Sequence, residues 1–340
     1  MKILVTGCAG FIGFHLSKKL IERGDKVYGI DNLNNYYDVR LKKSRLKVLK
    51  QLAKKNKNNF YFFKADINNS NLIKKYFKKY KFDKVLHMAA QAGVRYSLKN
   101  PEKYLQTNIL GFFNILKQSK INKIKHLVYA STSSIYGAST QLPYRETYST
   151  DHPLQIYAVT KKTNELLAHA FGNLYLLPTT GLRYFTVYGP WGRPDMALFA
   201  FTKNILRDKP IELYNRGLHT RDFTYIDDIV DGTIKVLDAP PSKNKSWNSK
   251  KPEVSSSKAP FQVLNIGYGE RVPLKRFITA IERATSKKAK INKKPFQPGD
   301  IKDTYSDTQK IKKKYKYFSK TKIEVGVKKF VNWYRKYYQI

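Results

Sequence analysis

Short apolar runs alternate with helix-length apolar stripes along most of the chain. Ile3 to Val5 is a strand-length run, and Leu16, Leu20 and Ile21 recur at helical spacing over Phe14 to Arg23 before Gly24 stops the pattern. A second strand ends at Asp31. Leu41, Val48, Leu49 and Leu52 then mark one face of a helix whose other face is lysine, and Asn59 to Lys64 and Asp83 to His87 read as further strands. Pro101 to Gln118 opens on proline and glutamate, as helices do, and carries Tyr104, Leu105, Asn108, Ile109, Phe112, Phe113 and Leu116 on one broad face. Lys125 to Ala130 is the next strand. Strands alternating with helices in this way predict an α/β fold with a doubly wound parallel sheet.

Beyond residue 180 the pattern changes. Strands near Thr180 and at Phe261 to Ile266 are expected to rejoin the first sheet, so the two halves interleave. The expected division is a nucleotide-binding domain over 1–180, with returning segments at about 222–238 and 261–275, and a smaller C-terminal α/β lobe over 181–340. Between them, at about 240–260, the chain is Ser, Lys, Pro and Asn with almost no apolar content, and reads as a mobile, solvated insertion with Trp247 as its anchor. Phe277 to Ala284 is a helix. A lysine run from Lys310 to Lys322 precedes a last amphipathic helix bearing Val327, Phe330, Val331 and Tyr334.

The first strand runs into Gly7-Cys8-Ala9-Gly10-Phe11-Ile12-Gly13, a G-x-x-G-x-x-G turn that opens a helix. Glycines at that spacing allow a tight turn, a close approach of backbone to a pyrophosphate, and helix packing on the strand. The helix N-terminus then faces the phosphates with its dipole and free N–H groups. Asp31 follows Gly13 by 31 − 13 = 18 residues, at the end of the second strand, where a carboxylate accepts from ribose hydroxyls. It also repels a 2′-phosphate, so NAD is expected over NADP, with Asn32 beside it. Asp66 and Ile67 follow the third strand and are placed at the adenine edge. Ala89, Ala90 and Gln91 follow the fourth, where small residues let a ligand lie close, and Arg95 comes after them at the ligand edge. Cys8 is read as a packing residue and His87 as a core histidine without metal-ligand spacing; no metal is expected.

The fifth strand ends in Ser131-Thr132-Ser133-Ser134, and Thr132 precedes Tyr157 by 157 − 132 = 25 residues, so a strand end and the next helix bring the two together. Tyr157 and Lys161 stand at i and i+4 on one helix face. An ammonium beside a phenol favours the phenolate. A tyrosine that works as a base near neutrality needs a shift of about three units, on the order of 4 kcal/mol of electrostatic help.

Composition changes this picture in one respect. Of 340 residues, 65 are Lys or Arg and 25 Asp or Glu, so the formal net charge is 65 − 25 = +40. Such a field attracts nucleic acid or any phosphate-bearing small molecule. Lysine far outnumbers arginine and is spread along the chain, which favours solvated faces; no nucleic-acid or membrane partner is expected. The single cysteine excludes an intramolecular disulfide and fits a reducing compartment; with a strand at the very start and no long apolar run, a cytoplasmic location is expected.

Together the glycine turn, the hydroxyl cluster and Tyr157-x-x-x-Lys161 resemble the extended short-chain dehydrogenase/reductases, in the nucleotide-sugar epimerase and dehydratase group. Within it the chain most resembles the UDP-glucuronate 4-epimerases. The likeness runs nearly end to end, through Asp31 to Tyr37, Gln91 to Ser97, Arg183 to Ala197, Arg221 to Asp228 and Gln297 to Asp300, and is most specific over Arg183-Tyr-Phe-Thr-Val-Tyr-Gly-Pro-Trp-Gly-Arg-Pro-Asp-Met-Ala197. It implies a Rossmann-like fold, a tightly held NAD and a UDP-sugar substrate. By resemblance Tyr157 removes the proton of the sugar 4-hydroxyl, Thr132 holds that oxygen, and Lys161 holds the nicotinamide ribose and depresses the tyrosine pKa. Asn108 and Tyr184 are placed at the cofactor, Ser133 and Ser134 at the sugar, Thr186 and Arg193 at a uronate carboxylate, Arg221 at the diphosphate, and Asp300 at the uridine ribose or a neighbouring arginine. Relatives that eliminate water carry an acidic pair after the hydroxyl residue, and decarboxylating ones a nearby glutamate; here Ser133-Ser134 stand instead. UDP-glucose or UDP-N-acetylhexosamine epimerisation, UDP-glucuronate decarboxylation and, more distantly, nucleic-acid binding on a retained fold stay open. A homodimer through the helices near Phe112 and Leu166 is expected.

Overall fold

The computed structural model describes residues 1–297 and 299–340; Pro298, within the Gln297 to Asp300 motif, lies outside them. Seven parallel strands form the central sheet: β1 (Lys2–Thr6), β2 (Lys26–Asp31), β3 (Phe60–Lys64), β4 (Lys84–His87), β5 (His126–Thr132), β6 (Thr179–Tyr184) and β7 (Phe261–Ile266). Their order across the sheet is β7-β6-β5-β4-β1-β2-β3, the Rossmann-like, doubly wound arrangement expected. The chain builds outward from β1 to β3, then crosses back to place β4 on the other side of β1, with Thr6 opposite His87. The crevice at that reversal is where ligands bind in such sheets.

Side-chain alternation explains why the sheet is covered twice. Ile3 and Val5 point into one core, with Leu86, Val128, Leu182 and Leu264, against the helices Phe11–Glu22 and Ile226–Asp238. Leu4, Val85, Leu127, Tyr129 and Val263 point into the other, against Ser70–Tyr80, Phe112–Ile121 and Ile156–Tyr175. The second lobe is built from short strand pairs, among them Thr186–Tyr188 with Phe223–Tyr225 and Ile211–Leu213 with Ile291–Lys293, and from helices that include Ala197–Leu206, Leu274–Thr285 and Ile323–Tyr338. In its last helix, Ile323–Tyr338, Val327, Phe330, Val331 and Tyr334 are all buried.

Three expectations need correction. A boundary at 180 cuts through β6, which pairs residue by residue with β5 as far as Thr132–Tyr184. The helix expected over 101–118 is interrupted: α-helical Pro101–Tyr104 and Phe112–Ile121 flank a π-helical stretch, Leu105–Gly111, and of the residues expected on one face Leu105 and Phe113 are exposed while Phe112 is fully buried. The segment at 240–260 is not solvated throughout. Ser255, Ser257 and Ala259 are buried, the Ser255 carbonyl accepts from Val263 N (2.9 Å), and Glu253 pairs with Lys310 (3.1 Å). Trp247 is tied within the segment, its indole N–H donating to Glu253 O (3.0 Å).

Candidate active site

Glycine is required in the first turn by geometry. Gly7 has φ +69°, and a Cβ there would lie 2.7 Å from Ala89 N; one at Gly13 would lie 2.1 Å from Gly7 O. The turn is held by Gly7 N donating to Ile30 O (2.7 Å) and Gly10 N to Gly7 O (2.9 Å). The helix Phe11–Glu22 that follows has no side-chain cap, so its first N–H groups face the open crevice. Asp31 accepts from Ala9 N (3.0 Å) and Leu33 N (2.8 Å). Burial pushes its carboxyl up, against the opposing pull of those N–H groups, Lys42 and Arg45. Cys8 is buried with its thiol pushed up by burial and by Asp31, as suits a packing residue. His87 is buried, its Nδ1 2.9 Å from Thr6 Oγ1, and burial draws its pKa down to about 3.

A cavity of about 400 Å³ runs along the carboxyl edge of the sheet, lined by Gly7, Gly10, Phe11, Ile12, Gly13, Asp31, Asn32, Ile67, Ala89, Ala90, Gln91, Thr132, Ser133, Ser134, Tyr157, Lys161 and Tyr184. It thus gathers the glycine turn, the acid, the hydroxyl cluster and the Tyr-Lys pair. A second cavity of about 310 Å³ is lined by Arg95, Glu212, Tyr214, His219, Arg221 and Asp300. Phe11, Thr186, Val187, Arg193 and Met196 line both.

Two expected cofactor residues line neither. Asn108 is buried behind the Gln91 turn: its Oδ1 accepts from Gln91 N (2.8 Å), and its Nδ2 donates to Gln91 O (3.1 Å) and Thr160 Oγ1 (3.0 Å). It sits in the π-helical stretch and shapes the cavity wall from outside. Asp66 accepts from Asn32 Nδ2 (2.8 Å) and Asn68 N (2.8 Å), so it holds a lining residue in place.

Tyr157 and Lys161 meet the first cavity from one helix, Ile156–Tyr175. Lys161 Nζ donates to Ala130 O (2.9 Å), and burial alone draws its pKa to about 7. Burial pushes the Tyr157 phenol up; what holds it back is the Thr132 hydroxyl and then the Arg193 charge. Thr132, at the end of β5, also accepts from Ser134 N (3.2 Å), which fixes its rotamer. Beneath it, Ser131 Oγ donates to Glu165 (2.7 Å), itself in a buried ion pair with Arg183 (2.8 Å).

In the second cavity Arg221 pairs with Asp300 (3.1 Å), and the Arg95 guanidinium stacks 4.0 Å from the Tyr214 ring centre. Arg193 is not free: its Nε and Nη2 donate to the two oxygens of Asp195 (3.0 and 2.5 Å), and Tyr36 Oη donates to the same carboxylate (2.9 Å). Sequence reading assigned no role to Tyr36, Asp195, Tyr214, His219 or the buried Lys42. The first two sit inside the quoted motifs, but only the fold brings them 159 positions together.

A sheet reversal that carries a glycine turn on one side and a Tyr-x-x-x-Lys helix on the other defines the extended short-chain dehydrogenase/reductase class. Residues 4–330 match the family model described as GDP-mannose 4,6 dehydratase, and the chain belongs to that family. Over 339 residues it is 49% identical to the protein CapI of Staphylococcus aureus, with all of both chains covered. It is 42% identical to a probable UDP-glucuronate 4-epimerase of Rhizobium meliloti (strain 1021), covering 100% of this chain and 98% of that one. A crystal structure of UDP-glucuronic acid 4-epimerase from Bacillus cereus, in complex with UDP-glucuronic acid and NAD, is similar at a TM-score of 0.85 and 34% identity, covering 99% of this chain and 100% of that chain.

Proposed function

We propose that the protein is an NAD-containing UDP-glucuronate 4-epimerase that interconverts UDP-glucuronate and UDP-galacturonate. The carrying observation is that Arg193 stands in the wall common to both cavities, within electrostatic reach of the Tyr157 phenol. A sugar whose C4 hydroxyl lies at Tyr157 then has a cation available for a carboxylate on C5.

The first cavity fits a dinucleotide. Its glycines leave no room for a Cβ, its helix N-terminus is uncapped, and Asp31 presents a buried carboxylate. Bound there, NAD supplies the acceptor and donor of hydrogen at sugar C4. Tyr157 takes the 4-hydroxyl proton and returns it, and Thr132 holds the oxygen as hydroxyl and as ketone. Lys161 holds the cofactor ribose. Ser133 and Ser134 offer hydroxyls where an eliminating enzyme needs an acid. A 4-keto uronate is a β-keto acid and loses carbon dioxide readily; Thr186 and Arg193 hold its carboxylate near the ketone plane and suppress that loss. Arg221, paired with Asp300, receives the diphosphate.

Proton NMR of the protein with UDP-glucuronate and no added cofactor tests this. UDP-galacturonate approaching an equilibrium mixture is the expected result, and Arg193→Ala should raise pentose by-product. A wild type that yields mainly UDP-pentose, or turns over UDP-glucose at least as well, overturns the reading. The neutral-sugar alternative has one observation in its favour, the pairing of Arg193 with Asp195.

A further inference from the structure

Resting on that reading, we propose that Asp195 and Tyr36 form a clasp that aims Arg193, making Asp195 the positioning residue on which discrimination between acidic and neutral sugars depends. Arginine has five N–H donors. Asp195 takes the edge formed by Nε and Nη2, which leaves three N–H groups on the opposite end of the guanidinium. Arg193 and Asp195 keep side-chain exposures of 21% and 31%, so the pair is not sealed, and Arg193 lines both cavities. An end-on, two-point pairing with a second carboxylate is therefore compatible with the first. The charge of the pair is zero before a ligand arrives, so a neutral sugar meets no uncompensated cation, while an acidic one finds donors in a set direction. Selectivity then comes from orientation more than from net attraction.

Asp195 is itself held. Tyr36 Oη donates to Oδ2, and the Tyr36 ring packs against Tyr96 at 4.9 Å between centres and under the Arg193 guanidinium at 5.9 Å. Burial raises the Asp195 carboxyl, but the Arg193 charge and these donors outweigh it and keep it below the usual carboxylate range. The loop that carries Arg193 is tied to the cofactor half at two more points. His15 Nε2 bonds Pro190 O (2.9 Å), and the fully buried Arg45 bridges Ala9 O in the glycine turn (2.8 Å) to Trp191 O (2.5 Å). Tyr36 belongs to the segment that follows Asp31. The aim of the sugar-binding arginine is thus set from the dinucleotide side of the molecule.

The test compares wild type, Asp195→Asn and Tyr36→Phe on UDP-glucuronate and UDP-glucose, by kcat, KM and pentose by-product, with calorimetric Kd for both nucleotide sugars. Asparagine keeps the volume but accepts at one oxygen only; phenylalanine keeps the ring and loses only the hydroxyl. The expected result is an acid-to-neutral kcat/KM ratio that falls about tenfold in Asp195→Asn and about threefold in Tyr36→Phe, with by-product rising and UDP-glucose kinetics within twofold of wild type. A merely structural role would lower both sugars alike, and that outcome overturns the clasp. So does tighter UDP-glucuronate binding in Asp195→Asn without by-product, which would make Asp195 a competitor. A wild type with no preference for the acidic sugar overturns the function and the clasp together; a preference that survives both substitutions overturns the clasp alone.

Discussion

Lys161 shows how far a single group departs from its ordinary behaviour inside this site. Its folded pKa of about 7 lies below the value of about 10.4 for a free lysine, so between those pH values the unfolded chain binds more protons than the folded one. Its burial therefore destabilises most below pH 7, by something on the order of 4 kcal/mol, and the penalty fades as pH rises through that window. Lys161→Met removes the penalty but leaves the Ala130 carbonyl without its donor, worth roughly 1 to 3 kcal/mol. The variant is expected to gain about 2 kcal/mol against urea at pH 7, less toward pH 10, while turnover falls by about 100-fold or more. Equal urea midpoints at pH 7 would contradict the buried-charge account. The residue's identity and its place one turn from Tyr157 were legible in the sequence. Its partner was not, because Ala130 offers a main-chain oxygen that no residue type announces.

Between elements, the site rests on a buried ion pair. Glu165, one turn beyond Lys161, joins Arg183 on β6 to Ser131 on β5, while Arg183 Nη1 also donates to Tyr136 Oη (3.0 Å). Ser131 precedes Thr132, so this pair sets the strand that bears the hydroxyls against the helix that bears the base. Arg183→Met leaves a buried carboxylate without its cation and is expected to cost about 3 to 5 kcal/mol of stability. Combining it with Glu165→Leu should restore much of that loss, since an apolar pair of similar volume replaces both charges. Urea titration of the two singles and the double measures the coupling, and an additive double would contradict it. Strand and helix positions were largely readable from apolar period. The π-helical turn over Leu105–Gly111 was not: it carries Asn108, whose partner Gln91 lies on another segment.

Across the whole molecule, no helix among the described residues is long and apolar enough to cross a membrane. Leu110 and Leu166 are each 59% exposed on the two helices where a homodimer face was expected, with Phe113 beside them, whereas Phe112 belongs to the core. If two copies meet there, each brings a formal charge of +40, so like-charge repulsion opposes association. The dimer should then tighten as salt rises from roughly 50 to 300 mM, and Leu166→Glu should yield monomer in light scattering. A wild type that is monomeric at both salts would rule out this face. The sequence by itself determined the α/β class, the glycine turn, Asp31, the Tyr157–Lys161 helix and the family, because these depend on residue type at short, fixed spacing. Only the tertiary structure decided that Arg193 is clasped by Asp195 and Tyr36, and that Asn108 and Asp66 support the cavity without lining it. Those are contacts between segments far apart in the chain, and their partners are chosen by packing, which no local pattern encodes.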